Sequence, residues 1–413
     1  MSENLYSSAI IRKCSVNGID IRNSVLKLHV GTTIFTPYVI AVISILDGAT
    51  IQDAVYQPGA KVNIVYSAGA SSTIREYNMV TLGLGAGVKN PNPRSGRTEI
   101  VAVTESYFNM EQEYSGFHQN IQASEVMKKI HAEIDPAHPN LNILASKGVI
   151  GSREAYHLRS LKLGRAANMT RDRLTDSVYN SSAFVYYADQ NMQYHCLPLE
   201  KLFKEASGPT FTRKIGLTMF DQDQLAYNII SLRKGENRSG FGGDYANRYY
   251  SAINQRGGKP ATGFDWASMT YTPPSSEISD PTAREVSGKT NWAGNVSKKA
   301  TTVNHRFNYD FNQKTSEDFE GDVANKNMMV GLLMQGSMTI NVPLEGGFSC
   351  LVGKGCELKI PTESGEGDAR MSPVGGKHLI LAQGEYVMKG LQGMQGIASM
   401  TTSSGGTQGD VYS

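Results

Sequence analysis

Gly59 opens Ala60-Lys61-Val62-Asn63-Ile64-Val65-Tyr66, in which Val62, Ile64 and Tyr66 fall on one face and Lys61 and Asn63 on the other. A period of two with one apolar face is the mark of a half-buried β-strand. The same pattern returns near the other end of the chain. Gly59 to Ile64 and Gly355 to Ile360 both run glycine, any residue, charged, aliphatic, polar, isoleucine. A second strand-like stretch follows each, Thr98 to Val103 in the first case and Lys377 to Ala382 in the second. A strand that recurs with its companion predicts two similar antiparallel modules with other material between them.

The rest of the chain fits that frame. It has 413 residues, enough for two or three domains of the usual size, and 40% of them are apolar, so it can bury a core. Glycine is abundant at 42, and 20 tyrosines outnumber two tryptophans, a balance that suits short strands and turns better than a helical bundle. Forty basic and 38 acidic residues leave a formal charge of +2, which excludes a strong chain-wide attraction to nucleic acid or anionic lipid. Cys14, Cys196, Cys350 and Cys356 are too few and too scattered for a disulfide framework and read as reduced, buried thiols. The N-terminus shows no basic region followed by an apolar run. Phe35 to Leu46, the longest apolar stretch, is interrupted by Pro37 and Ser44 and is shorter than the roughly 20 residues a membrane helix needs. A soluble protein made in a reducing cytoplasm is expected, with no membrane partner.

Residues 1–107 read as a first β-barrel. Val25 to Val30, Val39 to Leu46 (closed by Asp47-Gly48), Lys61 to Tyr66, Glu76 to Leu84 and Thr98 to Thr104 are its strands, and Lys89 to Gly96 is a loop. Residues 108–205 read as a mixed α/β insertion. Ser124 is placed to cap a helix carrying Val126, Ile130 and Ile134, which Asp135-Pro136 ends. A second helix is expected over Thr170 to Asn180, then a hairpin of Phe184 to Tyr187 and Gln193 to Leu197. Residues 206–234 supply joining strands. Residues 235–325 form a loop-rich arm, in which Tyr271 to Asp322 is poor in apolar residues. Residues 326–400 read as the second β-barrel: a helix at Met328 to Met334, a strand at Ser337 to Val342, a turn at Pro343 to Gly347, then Phe348 to Val352, Gly355 to Ile360 and Lys377 to Gly384 as strands. Residues 401–413 are a flexible tail. The fold class is therefore β-rich α+β: two small antiparallel β-barrel domains with a mixed α/β insertion and long loops.

The residues offer no catalytic centre. Gly83-Leu84-Gly85-Ala86-Gly87 lacks the spacing and the βαβ context of a dinucleotide loop, and Gly353-Lys354-Gly355 lacks the Ser or Thr of a phosphate loop. Asp221-Gln222-Asp223-Gln224-Leu225 begins like a calcium loop but puts leucine where an oxygen ligand belongs. His195 and Cys196 are neighbours on a strand and so face opposite ways, and Cys350 and Cys356 have no second pair. Glu111 and Glu113 read as exposed acids. No metal or cofactor is expected. Arg233, Arg238 and Arg248, interleaved with Phe241, Tyr245, Tyr249 and Tyr250, form a basic-aromatic run. Such a run binds single strands of nucleic acid or builds a protein interface, and the balanced total charge favours the interface.

The order of elements resembles that of the central baseplate hub proteins of contractile-tailed bacteriophages and the hub part of type VI secretion spike proteins. The stretches that carry the resemblance are Gly59 to Tyr66 after Asp47-Gly48, Phe184 to Phe203, Asn228 to Ser231, Met338 to Pro343, Gly353, Gly355 to Pro361, and Gly375 to Ala382. The resemblance implies a non-enzymatic homotrimer in the virion tail, assembled in the host cytoplasm. Two barrels per chain would then give six units around one axis and adapt a sixfold tail tube to a threefold spike. Tube or tube-initiator protein, spike protein, other baseplate proteins and tape measure protein would be its partners, and DNA would pass through the channel without specific binding. The chain ends soon after the second barrel, so a separate spike protein is implied. A tail-associated cell-wall-degrading enzyme and a nucleic-acid-binding module are the alternatives.

Overall fold

The structure is a computed structural model. It describes residues 7–46, 58–69, 73–84, 97–144, 149–150, 156–171, 174, 184–213, 226–234, 261–265, 270–271, 304–307, 337–360, 375–390 and 393–403. Among them β-strands predominate and the helices are few and short.

Besides the two-residue strand Ile19–Asp20, the first part of the chain supplies six strands: β1 (Ser7–Val16), β2 (Val25–Thr33), β3 (Ile40–Leu46), β4 (Lys61–Ala68), β5 (Ile74–Leu84) and β6 (Arg97–Thr104). They alternate buried and exposed positions as the sequence predicts. Val62, Ile64 and Tyr66 point into the core and Lys61 points out. The antiparallel order is β2-β3-β6-β5-β4-β1, which by itself would leave β2 and β1 as open edges.

Two long strands from the other end of the chain fill that gap. β16 (Gly376–Gly390) and β17 (Gly393–Ser403) form a hairpin. β16 pairs β2 over Ala382–Met388, and β17 pairs β1 at Gln395 and Gly396. Eight strands thus return on themselves in a closed ring, every pair antiparallel. The other half of the hairpin serves a second circuit. It pairs through β16 with β15 (Gly355–Lys359), and β15 lies parallel to β12 (Thr210–Thr212). Through β17 it pairs with β14 (Ser337–Pro343), which pairs β13 (Ser231–Lys234). The circuit closes where Tyr227 to Ile230 runs between β12 and β14, with Ile229 N–H donating to Thr212 O at 3.0 Å and Ile230 N–H to Asn341 O at 2.8 Å. Each hairpin strand changes neighbour midway. On β16 the change follows Leu379 and coincides with a bulge between Ile380 and Ala382. Bulges bend a strand and sharpen its twist, which lets one strand serve two circuits. One hydrophobic core runs through both circuits.

The segment between β6 and β12 has a core of its own. It contains α1 (Glu105–Asn109), β7 (Glu113–His118), α2 (Ala123–Ile134), β8 (Leu141–Ile143), β9 (Tyr156–Lys162), α3 (Leu163–Arg171), β10 (Phe184–Ala188), β11 (Tyr194–Pro198) and α4 (Leu199–Lys204). In α2 the predicted stripe of Val126, Ile130 and Ile134 is buried and Asp135 ends the helix. Ser124 is not its cap, because the helix starts one residue earlier and the Ser124 hydroxyl turns back to Gln122 Oε1. A helix lies at Leu163–Arg171, so the predicted start at Thr170 falls in its last turn; of the rest of the predicted stretch only Leu174 is among the described residues, and it is not helical.

Other expectations change as well. Pro343 to Gly347 is not a plain turn but leads into the short helix α5 (Leu344–Phe348), and Phe348 to Val352 is helix end and turn rather than strand. Asn304–Phe307, inside the stretch read as loop, pairs with Ala261–Asp265 in a small separate sheet that also holds Thr270–Tyr271. The tail is shorter than expected at its start, since Thr401 to Ser403 complete β17. Met328 to Met334 lies outside the described residues.

Candidate functional site

The predicted basic-aromatic run is described at one position. Arg233 lies on β13 with its side chain exposed. Arg238, Phe241, Tyr245, Arg248, Tyr249 and Tyr250 lie outside the described residues, as do Asp221 to Leu225 and Gly85 to Gly87.

The hairpin β10–β11 is the wall between the two cores, and its alternation serves both. Val185, Tyr187 and Leu197 pack into the core of the strand circuits, while Phe184, Tyr186, Ala188, Tyr194 and Cys196 pack into the core of the insertion. A strand buried on both faces reads as a continuous apolar run, which is what Phe-Val-Tyr-Tyr-Ala is. His195 and Cys196 therefore do face opposite ways. His195 Nε2 meets Asp189 Oδ2 at 3.2 Å and its Nδ1 meets Asn142 Nδ2 at 3.1 Å, while Cys196 is buried in the insertion.

At the tip of this hairpin the chain turns through Asp189-Gln190-Asn191-Met192-Gln193. Asp189 Oδ1 accepts from Asn191 N–H at 2.8 Å and Gln193 N–H at 3.0 Å, which fixes the turn. The turn meets the strand ring at a buried polar cluster. Arg75 on β5 is 2% exposed, and Glu385 on β16 is 1% exposed. Arg75 Nε lies 3.5 Å from Glu385 Oε1. The same guanidinium donates to Asn191 Oδ1 and to Phe348 O, and stands 4.8 Å from the centre of the Phe348 ring. Tyr66 Oη donates to Glu385 Oε2 at 2.5 Å, Tyr77 Oη donates to Gln190 O at 2.9 Å, and Gln383 Nε2 donates to Glu385 Oε1 and to Gly347 O, both at 3.0 Å. Val352 N–H donates to Gln190 Oε1 at 2.9 Å. The cluster thus joins β4, β5 and β16 of the ring, the turn of the insertion, and the α5 region.

Its electrostatics follow from burial. Loss of water works against the Arg75 charge, but Glu385, Tyr77, Tyr66 and Asp189 together outweigh it and raise its pKa. Burial, and then the Glu385 charge, push the Tyr66 and Tyr77 hydroxyls above the ordinary tyrosine range. An arginine held charged and phenols held neutral, all out of solvent, position chain segments; neither is poised to exchange protons with a substrate.

A second buried network lies within the insertion. His131 Nδ1 meets Tyr186 Oη at 2.8 Å and its Nε2 meets the His138 carbonyl at 2.9 Å. Tyr194 Oη donates to Asp135 Oδ2, which also meets His138 Nδ1 at 3.1 Å. Burial lowers the pKa of His131, which favours its neutral form. Burial acts on three of the cysteines in the same way, against the charged thiolate: it raises the thiols of Cys14 and Cys350 to about 12 and that of Cys356 higher still. Glu111 pairs with Lys162 at the surface, and Gly353 takes a left-handed φ of +80° in the turn before β15. Among the described residues no three His, Cys, Asp or Glu side chains gather as metal ligands.

Sequence reading missed the Arg75 cluster. The signal was present in Ile74 to Leu84, where the phase that buries Tyr77 and Met79 also buries Arg75.

No family model and no curated protein matches the chain. Solved structures do match it. The 43 kDa tail protein of prophage MuSo2 from Shewanella oneidensis is 8% identical, with a TM-score of 0.53, over 96% of this chain and 98% of that one. A tail protein from Neisseria meningitidis MC58 is 10% identical, with a TM-score of 0.52, over 98% of this chain and 100% of that one. A component of the type VI secretion system from E. coli is 8% identical over 96% of this chain and 76% of that one, at a TM-score of 0.40. At such identities the likeness is one of fold: this chain is built, almost end to end, on the fold of the Shewanella and Neisseria tail proteins.

Proposed function

We propose that the chain is the central baseplate hub of a contractile phage tail. Three copies form a ring around one axis, each contributing two barrel-like units, so that six similar units face a sixfold tube while the trimer seats a threefold spike. The observation that carries this reading is the β16–β17 hairpin, which closes an eight-strand ring with one half and a second circuit with the other. A single hairpin shared in this way holds two units of one chain at a fixed angle, as a closed ring of repeated contacts requires. The near end-to-end likeness to two tail proteins supports the same conclusion.

In this role the protein performs no chemistry. Its partners are further copies of itself, tube or tube-initiator protein on one side, spike protein on the other, and neighbouring baseplate proteins. Tape measure protein and DNA pass along the axis without specific binding. The units do not follow the sequence blocks 1–107 and 326–400: one is β1–β6 closed by parts of β16 and β17, the other is β12–β15 with the remaining parts of that hairpin, and 108–205 is inserted between them. The run from Arg233 to Tyr250 belongs to the contact surface. Mass photometry and negative-stain electron microscopy of the purified chain, alone and with tube or spike protein, test the proposal. A trimer whose averaged images show six lobes is expected, and a monomer that joins neither partner would overturn it.

A further inference from the structure

We propose that the buried Arg75 cluster is a register lock, which admits the hairpin β16–β17 to the strand ring in one alignment only. The ring needs such a device because of how it closes. β1 to β6 end at Thr104, whereas the hairpin that completes them begins at Gly376, after the whole insertion and most of the second circuit. The hairpin must therefore find β2 and β1 late, with no tight turn to set its alignment.

The apolar pattern rules out half of the wrong alignments. A slip of one residue turns Val387 out and the outward Tyr386 and Met388 in. A slip of two residues keeps every side chain on its proper face, so the pattern alone permits it. Such a slip moves each side chain roughly 7 Å along the strand. The Glu385 carboxylate would then leave both Tyr66 Oη and Arg75, with which it now makes contacts of 2.5 Å and 3.5 Å. The two buried charges would lose each other and keep only neutral partners, Asn191 and Phe348 O for the guanidinium and Gln383 for the carboxylate, a worse state than either the native pair or a wholly apolar site. Because Arg75 also holds Asn191, the same lock ties the insertion turn to the aligned ring.

A buried ion pair adds little stability over well-packed apolar groups, so discrimination is what it supplies here. This separates the lock from a merely stabilising contact and gives the test. Lys27 lies opposite Met388 in the native alignment, and a two-residue slip would bring it opposite Gly390. Two cysteine pairs, Lys27→Cys with Met388→Cys and Lys27→Cys with Gly390→Cys, report the two alignments by disulfide cross-linking and peptide mass mapping in the full chain. With the cluster intact, the first pair should cross-link and the second should not. In the apolar background Arg75→Met, Glu385→Leu, Tyr66→Phe, the slipped cross-link should rise about tenfold, the ratio expected when a difference of roughly 1.4 kcal/mol is lost, while the thermal midpoint holds. The alternative background Arg75→Leu, Glu385→Met, Tyr66→Phe guards against an accidental misfit. Cross-linking confined to the native pair in a folded apolar background would overturn the proposal. Failure of both backgrounds to fold would overturn it equally, since the cluster would then be there for stability.

Discussion

The two strand circuits share a hairpin but are filled differently. The eight-strand ring is antiparallel throughout, and part of its interior is a polar cluster of Arg75, Glu385, Tyr66, Tyr77 and Gln383. The second circuit includes a parallel pair and a junction made by one bridge, Thr212 with Asn228, and it is filled by Phe211, Ile340, Cys356, Leu358 and Met400. The difference lies in the ion pair: the ring buries Arg75 against Glu385, where its far-sequence strand β16 joins it. The ring is closed by strands from the far end of the chain and carries the specific contacts. The second circuit also draws on distant chain, β12 and β13, and its buried polar side chains include Thr402 and His378, 3.3 Å apart.

The strongest way to break the comparison is to remove one charge. Arg75→Ala leaves Glu385 buried and unpaired and should cost about 3–5 kcal/mol, read as a lower denaturant midpoint, with the loss spreading to the insertion through Asn191. The matching change in the second circuit is Leu358→Ala, at 1% exposure. It should cost about 2–4 kcal/mol through lost transfer energy and a cavity. Hydrogen exchange would separate the two cases: Arg75→Ala should expose amides of β10–β11 that Leu358→Ala leaves protected.

The two glycines of the repeated pattern sharpen the comparison further, because they are glycine for different reasons. Gly59 has φ +84° and open space around an added Cβ. Gly355 has no left-handed φ, but a Cβ there would lie 2.4 Å from the backbone of Ala206 and Ser207. Gly355→Ala must push two chain segments apart and should cost about 1–3 kcal/mol. Gly59→Ala pays only the left-handed conformation and should cost about 1 kcal/mol. Equal costs in thermal melts would mean that the two strands are anchored alike after all.

Much of this architecture was legible in the sequence because strand alternation is local. Lys61 to Tyr66, Thr98 to Thr104 and Gly355 to Ile360 fold as the predicted strands, and Phe184–Leu197 as the predicted hairpin. The matched aliphatic positions Val62, Ile64, Leu358 and Ile360 are all buried. Pairing was not legible, because period two says which face is buried and nothing about which strand lies alongside. Nothing in Tyr386 or Val387 announces His29 and Leu28 as partners. The strand read from the sequence, Lys377 to Gly384, stops at a glycine, whereas the folded strand runs on to Gly390. Yet Gly384 is there to clear the His29 and Tyr386 rings, which an added Cβ would meet at 2.9 and 3.2 Å.

That stacked pair gives the smallest expected effect. His29 on β2 and Tyr386 on β16 lie with ring centres 4.0 Å apart on the outer face of the ring, with Lys27 at 5.5 Å from the tyrosine ring. Burial, and secondarily the Lys27 charge, lower the His29 pKa below its usual value near 6.5. The folded chain therefore binds a proton at His29 less readily than the unfolded chain. Stability from this site is full above the unfolded value and falls as pH drops from there toward the folded one. Lys27→Met should move the His29 titration, followed by NMR of its Cε1 proton, part of the way back toward 6.5 and no further, because burial is the larger cause. A full return to 6.5 would mean that the stack is open to solvent and adds no burial to the β2–β16 backbone ladder. An unchanged titration would show burial acting unaided, and the outer and inner faces of this one strand pair would then be tuned by wholly separate physics.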